Sequence, residues 1–239
     1  MSSPELFPVA ILAGGLATRL RPITEMVPKA LIEVAGKPFI FRQLEYLSSQ
    51  GASRVVLCTG YLGDQIESVV GAGSDFGLRV VYSPDGPTLL GTGGALMRAL
   101  PLLGERFFVL YGDSFLPCDF PVVQASFIAS GQPALMTVLR NRNRWDKSNV
   151  SFRAGRIFEY DKRNPRKEME HIDYGLGVLT RVAFEGYPAA SPFDLADLYH
   201  ELALAGKLAA HEVQERFYEI GSHEGLKETE SYFSNMEMT

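Results

Sequence analysis

The chain has 239 residues, of which 46% are hydrophobic and 21% are charged, and its 23 basic and 28 acidic residues give a formal net charge of −5. This composition is ordinary for a globular protein and excludes a generally basic protein that coats nucleic acid. Glycine is unusually frequent, because 23 glycines are nearly a tenth of the chain and the average is about 7%. Their positions therefore carry information about turns and close backbone approaches.

No segment of the sequence has the pattern of a signal peptide or a membrane span. The first eight residues lack a basic stretch followed by an apolar one, and no apolar run approaches about 18 residues. Cys58 and Cys118 have no cysteine or histidine nearby at metal-ligand spacing, so we expect buried free thiols in a reducing environment. These features predict a cytoplasmic protein with no membrane partner.

The first half of the chain alternates apolar runs with helical patterns, which is typical of βαβ units. Residues 9–12 are apolar throughout and stop at Gly14 and Gly15, as a strand buried on both faces does. Pro38 opens a helical pattern that ends at Gly51, since Pro suits a first helical turn and Gly a C-terminal stop. Further strands are predicted at 55–58, 79–82 and 107–111, and helices at 64–70 and 94–100. The alternation predicts predominantly parallel strands.

The second half is richer in strands. Strands are predicted at 134–139, 149–152, 157–160, 174–180 and 216–220, and helices at 122–129 and 223–233. We expect antiparallel pairing around residues 154–155. Ser191 and Asp194 have the spacing of a capping box, and Pro192 stands at the first helical position. This pattern predicts a helix that begins there and ends at Gly206.

The charge is distributed unevenly along the chain. Residues 140–167 contain ten basic and three acidic residues, a local charge of +7, with Trp145 among them. Such a segment can bind RNA, form solvated hairpin edges, or provide a rim for an anionic small ligand. We favour the last two interpretations.

A glycine-rich turn follows the first predicted strand. Gly14 and Gly15 let backbone N–H groups approach phosphate oxygens, and Arg19 and Lys29 bring fixed cations to the same crevice. The stretch is neither a P-loop nor a dinucleotide fingerprint. The residues themselves favour a phosphate site and leave an ordinary βα turn as the alternative.

Position-specific motifs recur along nearly the whole chain. They are LAGG at 12–15, TRL at 18–20, PKAL at 28–31, VAGKP at 34–38, LGTGGA at 90–95, YGDS at 111–114, YDK at 160–162, DYG at 173–175 and YEIGS at 218–222. Together they resemble the signature of the sugar-1-phosphate nucleotidyltransferases, also called nucleotide-sugar pyrophosphorylases. The resemblance implies the α/β nucleotide-diphospho-sugar transferase fold, with a Rossmann-like, mixed and mostly parallel sheet flanked by helices.

The resemblance also implies a domain organisation. We expect one nucleotidyltransferase domain over residues 1–239, with a nucleotide-binding half at about 7–120 and a sugar-binding half at about 121–239. We expect no C-terminal β-helix domain of the kind that some relatives carry.

The reaction implied by the resemblance is attack of a sugar 1-phosphate oxygen on the α-phosphate of a nucleoside triphosphate, which gives an NDP-sugar and pyrophosphate. The nucleophile is already an anion, because a phosphate monoester has its second pKa near ~6, so no general base is needed. Arg19 is implied to bind the β- and γ-phosphates, and Lys29 the α-phosphate and the sugar phosphate. Asp113 and Glu219 are implied ligands of Mg²⁺. Glu219 replaces the aspartate of the common pattern, which leaves open whether it binds the metal directly.

The implied binding residues fall into two groups. The nucleotide is expected to contact Leu12, Ala13, Gly14, Gly15, Gly91, Thr92 and Gly93. The sugar phosphate is expected to contact Lys162, Asp173 and Gly175. A hairpin-edge cation is the alternative for Lys162, and a strand-end residue is the alternative for Asp173.

The sequence restricts the choice of substrate less than it restricts the type of reaction. The GDSFL motif at 112–116 and the short chain look most similar to guanylyltransferases acting on mannose or heptose 1-phosphate and to uridylyltransferases acting on N-acetylmuramate 1-phosphate. We favour the guanylyltransferase, with base choice made in the loop at 85–90. Other uridylyl- or thymidylyltransferases are alternatives, as is a phosphocholine cytidylyltransferase with Trp145 and Tyr174 as walls of a cationic cage.

A different class of function is a catalytically silent, ligand-sensing relative, which only the unusual Glu219 supports. The expected partners are an NTP and a sugar 1-phosphate and not nucleic acid, in a monomer or small homo-oligomer. If the chain is the nucleotidyltransferase that the resemblance implies, we expect its nucleotide sugar to serve cell-surface polysaccharide synthesis.

Overall fold

The computed structural model describes residues 5–188 and 191–237. Within these residues the α-helices are α1 (Phe39–Ser49), α2 (Gly63–Val70), α3 (Gly91–Leu103), α4 (Phe120–Ser130), α5 (Leu195–Leu204) and α6 (His223–Glu237). The strands are β1 (Val9–Ala13), β2 (Glu33–Val34), β3 (Lys37–Pro38), β4 (Arg54–Thr59), β5 (Arg79–Pro84), β6 (Arg106–Tyr111), β7 (Ser114–Phe115), β8 (Ala134–Arg140), β9 (Val150–Arg153), β10 (Arg156–Tyr160), β11 (His171–Thr180), β12 (Leu208–Val213) and β13 (Tyr218–Glu219).

Nine strands form one mixed sheet in the order β5-β4-β1-β6-β11-β8-β12-β10-β9. The first four strands in this order are parallel, and β11 runs antiparallel to both β6 and β8. This architecture confirms the predicted mixed α/β fold. The parallel pairing holds for the first half of the chain, whereas antiparallel pairing prevails in the second half.

Helices cover both faces of the sheet because the strands are apolar on both sides. Successive residues of β1 show the alternation: Val9 and Ile11 pack on the face that carries α1, α2 and α4, and Ala10 packs on the face that carries α3 and α5. All three residues are fully buried. The centre of the sheet is therefore packed on both faces, and the groups that can contact a ligand lie at the strand ends.

The strand order creates a topological switch point beside β1. The chain leaves β1 for β4 and β5 on one side and then returns to β6 on the other. In open α/β sheets the loops diverge at such a point and leave a crevice outside the carboxyl ends of the strands. The functional residues predicted at the ends of β1 and β6 therefore face the same crevice.

The second half departs from the sequence prediction at three places. The strand β12 was not expected, although it pairs with β8 in the centre of this half. The last strand covers two residues, Tyr218–Glu219, and not 216–220. The capping-box prediction was wrong, because α5 begins at Leu195 and its N-cap is Asp194, whose side chain accepts a hydrogen bond from the Ala196 N–H.

The predicted hairpin at residues 154–155 is confirmed. β9 and β10 pair antiparallel, and both turn residues have positive φ, 48° at Ala154 and 78° at Gly155. Two successive positive φ values are the conformation of tight hairpin turns, and Gly adopts it without strain.

Among residues 5–188 and 191–237, none of the helices combines the length and the apolar character needed to cross a bilayer. Cys58 and Cys118 are both free thiols, with Cys58 buried and Cys118 half-buried.

Candidate active site

A cavity of about 230 Å³ opens at the carboxyl ends of β1, β4, β5 and β6. Its walls come from the loops after these four strands and from the start of α3. The lining residues are Leu12, Ala13, Gly14, Gly15, Ala17, Lys29, Ala30, Cys58, Asp85, Leu89, Gly91, Thr92, Ala95, Tyr111, Gly112 and Asp113. The cavity therefore lies at the switch point of the sheet, where ligands of open α/β folds bind.

The glycine-rich turn after β1 forms one wall of the cavity. All four predicted residues of this turn line the cavity: Leu12, Ala13, Gly14 and Gly15. A Cβ atom on Gly60, which follows β4, would lie 2.6 Å from the Gly14 carbonyl oxygen. The two loops thus touch through their backbones, and a side chain at this contact would push them apart.

The turn after β6 holds Asp113 in place through its backbone. The Gly112 N–H donates to the Leu12 carbonyl at 2.9 Å. Buried Gln43 of α1 donates through Nε2 to the carbonyls of Tyr111 at 2.9 Å and Ser114 at 2.8 Å. Gln43 is a positioning residue that no sequence pattern indicates, because its partners are 68 and 71 positions away.

Lys29 and Asp113 form an ion pair in the cavity wall. Lys29 follows Pro28 at the start of a short 3-10 helix, and its Nζ donates to Asp113 Oδ2 at 2.7 Å. The Lys29 side chain is 18% exposed and that of Asp113 is 35% exposed, so both remain accessible to a ligand. The structure thus brings together two residues that are 84 positions apart in the sequence.

Glu219 joins this pair from the other end of the chain. β13 pairs with β7, which sets Glu219 opposite Ser114, and the Ile220 N–H donates to the Asp113 carbonyl at 2.9 Å. The Glu219 carboxylate accepts hydrogen bonds from the Gly221 N–H and, at 2.7 Å, from the Ser222 hydroxyl. Both of its oxygens are therefore engaged.

The position of Gly221 shows how closely the three charged groups surround one point. A Cβ atom there would collide with Glu219 Oε2, and it would lie 3.1 Å from Lys29 Nζ and 3.6 Å from Asp113 Oδ2. No side chain fits at this position. The predicted catalytic lysine and both predicted metal carboxylates thus converge beside the glycine-rich turn.

Two carboxylates are the protein groups available here for a metal. Within the described residues there is no cluster of three or more His, Cys, Asp or Glu side chains suited to a cation. This donor set fits Mg²⁺, which is usually held by one or two carboxylates together with water and substrate phosphates. Asp113 and Glu219 could hold such an ion if Asp113 Oδ2 contacted the ion and the Lys29 ammonium at the same time.

Arg19 lies at a different kind of position. It is exposed on a 3-10 helix, Thr18–Leu20, two residues beyond Ala17 of the cavity wall. Arg19 itself is not one of the residues that line the cavity. An exposed arginine near the opening is free to fold over phosphates that extend out of the cavity.

The second glycine-rich segment, at residues 90–95, contributes some residues to the cavity and others to packing between helices. Gly91 and Thr92 line the cavity, and Gly93 does not. A Cβ atom on Gly93 would collide with the ring of Phe193, so this glycine is needed for packing of α3 against the segment before α5. Thr92 Oγ1 donates to Asp194 Oδ1 at 2.8 Å and fixes the same contact.

The predicted sugar residues lie on and beside β11. A bulge separates Asp173 from Gly177, and Gly175 within it has a φ of 100°, which favours glycine. Asp173 Oδ1 accepts from the Gly175 N–H at 3.0 Å. Burial raises the pKa of Asp173, and the Gly175 N–H and the positive charge of Lys162 oppose that shift.

Tyr111 connects these residues to the cavity. Its ring lines the cavity, and a Cβ on Gly175 would lie 3.8 Å from Tyr111 Cδ2. The exposed Lys162 has its Nζ 5.6 Å from the centre of the same ring. The Tyr111 hydroxyl is buried and has no hydrogen-bond partner in the part of the chain that the structure describes. In the sequence, Tyr111 stands out only as the first residue of the YGDS motif.

Many cations of the basic segment at 140–167 are engaged in ion pairs. The pairs are Arg140 with Glu170, Arg142 with Glu170, Arg163 with Asp197, and Arg166 with Glu159. The guanidinium groups of Arg144 and Arg216 each lie 5.0 Å from the ring centre of Trp145. These contacts support the hairpin-edge interpretation of this segment more than an RNA-binding one.

Comparison with known proteins is consistent with this geometry. A family model described as nucleotidyl transferase matches residues 9–148, which is more than half of the chain. The chain is 43% identical over 111 residues to an N-acetylmuramate alpha-1-phosphate uridylyltransferase of Neisseria meningitidis, an alignment covering 46% of this chain and 48% of that protein. It is 28% identical over 219 residues to a mannose-1-phosphate guanyltransferase beta-B of Xenopus laevis, covering 88% of this chain and 60% of that protein.

Solved structures share the fold over nearly the whole chain. HddC from Yersinia pseudotuberculosis, complexed with GMP-PN, has a TM-score of 0.77 and 26% identity, and the match covers 95% of this chain and all of that one. An inositol-1-phosphate CTP transferase from T. maritima has a TM-score of 0.76 at 21% identity, covering 96% of each chain. The chain spans less than two thirds of the length of the curated relatives described above.

Proposed function

The chain belongs to the nucleotidyl transferase family, and from this premise we propose that it joins a sugar 1-phosphate to the nucleotidyl group of an NTP. The products are an NDP-sugar and pyrophosphate. The observation that carries the proposal is the convergence of Lys29, Asp113 and Glu219 beside the Gly14 and Gly15 turn at the switch point of the sheet.

The chemistry requires positioning and positive charge more than proton transfer. A sugar 1-phosphate is an anionic nucleophile at neutral pH, because its second pKa is near ~6. Negative charge moves toward the leaving pyrophosphate during the transfer, so fixed cations at the phosphates lower the barrier. Lys29 is the cation nearest the reacting α-phosphate in this proposal, and Arg19 reaches the β- and γ-phosphates from the opening.

Asp113 and Glu219 are the residues that would hold Mg²⁺. When bound, the ion supplies additional charge neutralisation on the phosphate oxygens. Gly221 and Ser222 hold the Glu219 carboxylate by hydrogen bonds, and a Cβ atom on Gly221 would touch Glu219 Oε2 while lying 3.6 Å from Asp113 Oδ2. A longer side chain than the common aspartate is therefore compatible with metal binding here.

The sugar phosphate is proposed to lie on the β11 side of Tyr111. Asp173 offers a carboxylate to sugar hydroxyls, the Gly175 backbone shapes the wall, and Lys162 faces the sugar phosphate. Nearby Tyr111 separates this region from the nucleotide side. The attacking oxygen would then approach the α-phosphate beside Lys29.

For the substrate we favour a guanylyltransferase acting on mannose or heptose 1-phosphate. The 26% identity to a structure complexed with GMP-PN and the long alignment with a mannose-1-phosphate guanyltransferase support this choice. The uridylyltransferase relative, 43% identical over 111 residues, keeps N-acetylmuramate 1-phosphate as the second candidate. A phosphocholine site at Trp145 is disfavoured, because Arg144 and Arg216 already occupy its ring.

A cytoplasmic role in nucleotide-sugar supply for cell-surface polysaccharide completes the proposal. Both cysteines are free thiols, and NTP substrates belong to the same reducing compartment. The retained Lys29–Asp113 pair argues against a catalytically silent sensor.

The test is a pyrophosphate-release assay with Mg²⁺, in which ATP, GTP, CTP, UTP and dTTP are each paired with mannose, heptose, glucose and N-acetylmuramate 1-phosphates. Rapid turnover with one pair is expected, and omission of Mg²⁺ should abolish it. Binding of nucleotide with no turnover for any pair would favour the sensor and overturn the proposed reaction.

A further inference from the structure

One oxygen of the Glu219 carboxylate is held against the start of α6. Glu219 Oε1 accepts a hydrogen bond from the Ser222 hydroxyl at 2.7 Å, and Ser222 directly precedes His223, the first residue of α6. A Cβ atom on Gly225, in the first turn of the helix, would collide with the same Oε1. Oε1 is therefore enclosed between the Ser222 hydroxyl and the helix backbone.

The other oxygen of this carboxylate lies on the side of the cavity charges. A Cβ atom on Gly221 would collide with Glu219 Oε2, and the same atom would lie 3.1 Å from Lys29 Nζ and 3.6 Å from Asp113 Oδ2. The Gly221 N–H donates to Oε2. A carboxylate oxygen has two lone pairs, so this hydrogen bond leaves Oε2 able to bind a cation as well.

The Ser222 hydroxyl is committed to this arrangement. Its oxygen accepts the Gly225 N–H at 3.0 Å, which is the hydrogen bond that an N-cap residue makes to the first turn of a helix. A hydroxyl has only one proton to donate, and the Ser222 proton goes to Glu219 Oε1. The cap of α6 and the orientation of Glu219 therefore depend on the same side chain.

The backbone of Glu219 is fixed by the same helix. The Oγ1 atom of Thr229, a fully buried residue of α6, donates to the Glu219 carbonyl at 2.9 Å. β13 has only two residues, and the stacked rings of Tyr218 and Tyr232, with centres 4.0 Å apart, add a second contact between this strand and α6. The side chain of Glu219 is thus the part that Ser222 alone orients from the helix.

Orientation of this side chain matters for a magnesium ligand. Glutamate has one more rotatable bond than aspartate, so its carboxylate can take more positions. Mg²⁺ requires near-ideal octahedral geometry and binds few protein oxygens. Groups that hydrogen-bond a metal ligand typically contribute about 10- to 100-fold to metal affinity, because they fix the direction of that ligand.

We propose that Ser222 is a positioning residue that ties Glu219 Oε1 to the start of α6 and so presents Oε2, beside Asp113, to a divalent cation. This inference rests on the metal site of the proposed function and deepens it. Ser222 itself does not contact the cation.

The first experiment measures Mn²⁺ binding to the full chain without substrates, by electron paramagnetic resonance of the free ion. The binding that Asp113→Asn removes defines the site. Ser222→Ala should raise the Kd of this site about 10- to 100-fold, and Ser222→Thr, which keeps the hydroxyl, should restore it. The matched control is Asp119→Ala, which removes the side-chain cap of α4, a hydrogen bond of 2.9 Å from the Val122 N–H. Thermal unfolding should show a loss of stability in both cap variants, with a changed Mn²⁺ Kd in Ser222→Ala only.

The second experiment asks whether Ser222 acts through Glu219. Ser222→Ala is combined with Glu219→Gln, and the Mn²⁺ Kd of the double variant is compared with those of the single variants. Because the hydroxyl has no carboxylate left to orient, the second substitution should change the Kd by less than about 2-fold. Full additivity of the two effects would overturn a role through Glu219.

The outcomes separate this inference from the proposed function. An unchanged Mn²⁺ Kd in Ser222→Ala, an equal loss of affinity in Asp119→Ala, or no Mn²⁺ binding that depends on Asp113 would each overturn the role of Ser222. Pyrophosphate release by the unmodified protein would still stand in those cases. Failure of the proposed function appears instead as absence of pyrophosphate release from every pair of substrates, a result independent of the Mn²⁺ titrations.

Discussion

The two regions of the sheet present their functional groups differently. In residues 7–120, Gly14 and Asp113 lie on turns that directly follow the parallel strands β1 and β6, and Lys29 lies on a 3-10 helix in the long loop after β1. All three line the cavity. In residues 121–239 they lie within irregular pairing, with Asp173 at a bulge of β11 and Glu219 on a two-residue strand.

This difference indicates that the two regions serve different steps of substrate binding. Backbone groups at the ends of buried parallel strands are held on both sides and suit phosphate positioning. A bulge re-aims side chains locally and suits recognition of a variable sugar. We therefore expect substitutions in the first region to lower turnover, and those on β11 to change sugar-phosphate binding or stability.

The largest effect is expected for Lys29→Ala. Loss of a cation that acts in the transition state should lower the rate of pyrophosphate release by about 10²-fold or more. Lys37→Ala is the matched control, because Lys37 forms an exposed ion pair with Glu45 at 2.9 Å, a class of contact worth at most about 1 kcal/mol. Its turnover should equal that of the unmodified enzyme. A turnover of Lys29→Ala close to normal would contradict the assignment.

The two carboxylates should differ in the next test. Asp113→Asn should lower turnover by about 10²-fold and raise the Mg²⁺ concentration needed for half-maximal rate. Glu219→Gln should lower turnover by about 10-fold, because Gly221 and Ser222 already share its oxygens. Mg²⁺ titrations of the rate measure both variants, and thermal unfolding checks their folding. An unchanged Mg²⁺ dependence in Asp113→Asn would show that it is not a metal ligand.

A smaller and more selective effect is expected for Asp173→Asn. The KM for sugar 1-phosphate should rise about 10-fold while the KM for NTP stays constant, since the only group lost is an acceptor for a sugar hydroxyl. Burial raises the pKa of Asp173 in the folded protein, so its ionised form destabilises the fold and protonation relieves that cost as the pH falls. The variant should therefore be no less stable at neutral pH.

The pH dependence provides the control for Asp173. In the unmodified enzyme, sugar-phosphate binding should weaken as the pH falls through the raised pKa of this carboxyl. In Asp173→Asn that contribution should be absent, and only the ionisation of the sugar phosphate itself, with its second pKa near ~6, should remain. A KM profile that is the same in both proteins would leave Asp173 with a structural role only.

The smallest effects separate backbone strain from substrate binding. Gly175→Ala and Gly155→Ala both place a side chain at positive φ, 100° and 78°, and should each lower the free energy of unfolding by about 1–2 kcal/mol. Only Gly175→Ala should also raise the KM for sugar 1-phosphate, by a few-fold, because relief of the strain at φ 100° displaces the backbone N–H that Asp173 accepts. Denaturant unfolding and steady-state kinetics measure the two effects. Equal kinetics in the two variants would remove Gly175 from the sugar site.

The order of the first strands and helices could be predicted because each element has its own local pattern. The apolar run of β1, the Pro38 and Gly51 boundaries of α1 and the hairpin turn at residues 154–155 all have local causes. β12 was missed, because the sequence Leu208–Val213 alternates weakly and is a strand by virtue of its parallel pairing with β8. Asp194 rather than Ser191 caps α5, because Thr92 anchors it from α3.

The high glycine content can likewise be explained only in part from the sequence. Gly14, Gly15, Gly91 and Gly112 line the cavity, as expected for residues that approach a ligand. Gly93 makes room for Phe193 and Gly177 for the Tyr199 hydroxyl, contacts that no local pattern indicates. Part of the excess therefore belongs to packing between distant elements.

The sequence by itself determined the fold class and the residue types of the site, because strand periodicity, turn glycines and motif spacing are local properties. The tertiary structure decided which of these residues meet. The Lys29–Asp113 pair spans 84 positions, and Glu219 reaches it through β7–β13 pairing. The Tyr111 hydroxyl is seen to lack a hydrogen-bond partner within the described residues only when its neighbours in space are known. Ion pairing, metal-ligand geometry and buried unpartnered groups depend on distances through space, and no spacing along the chain fixes these.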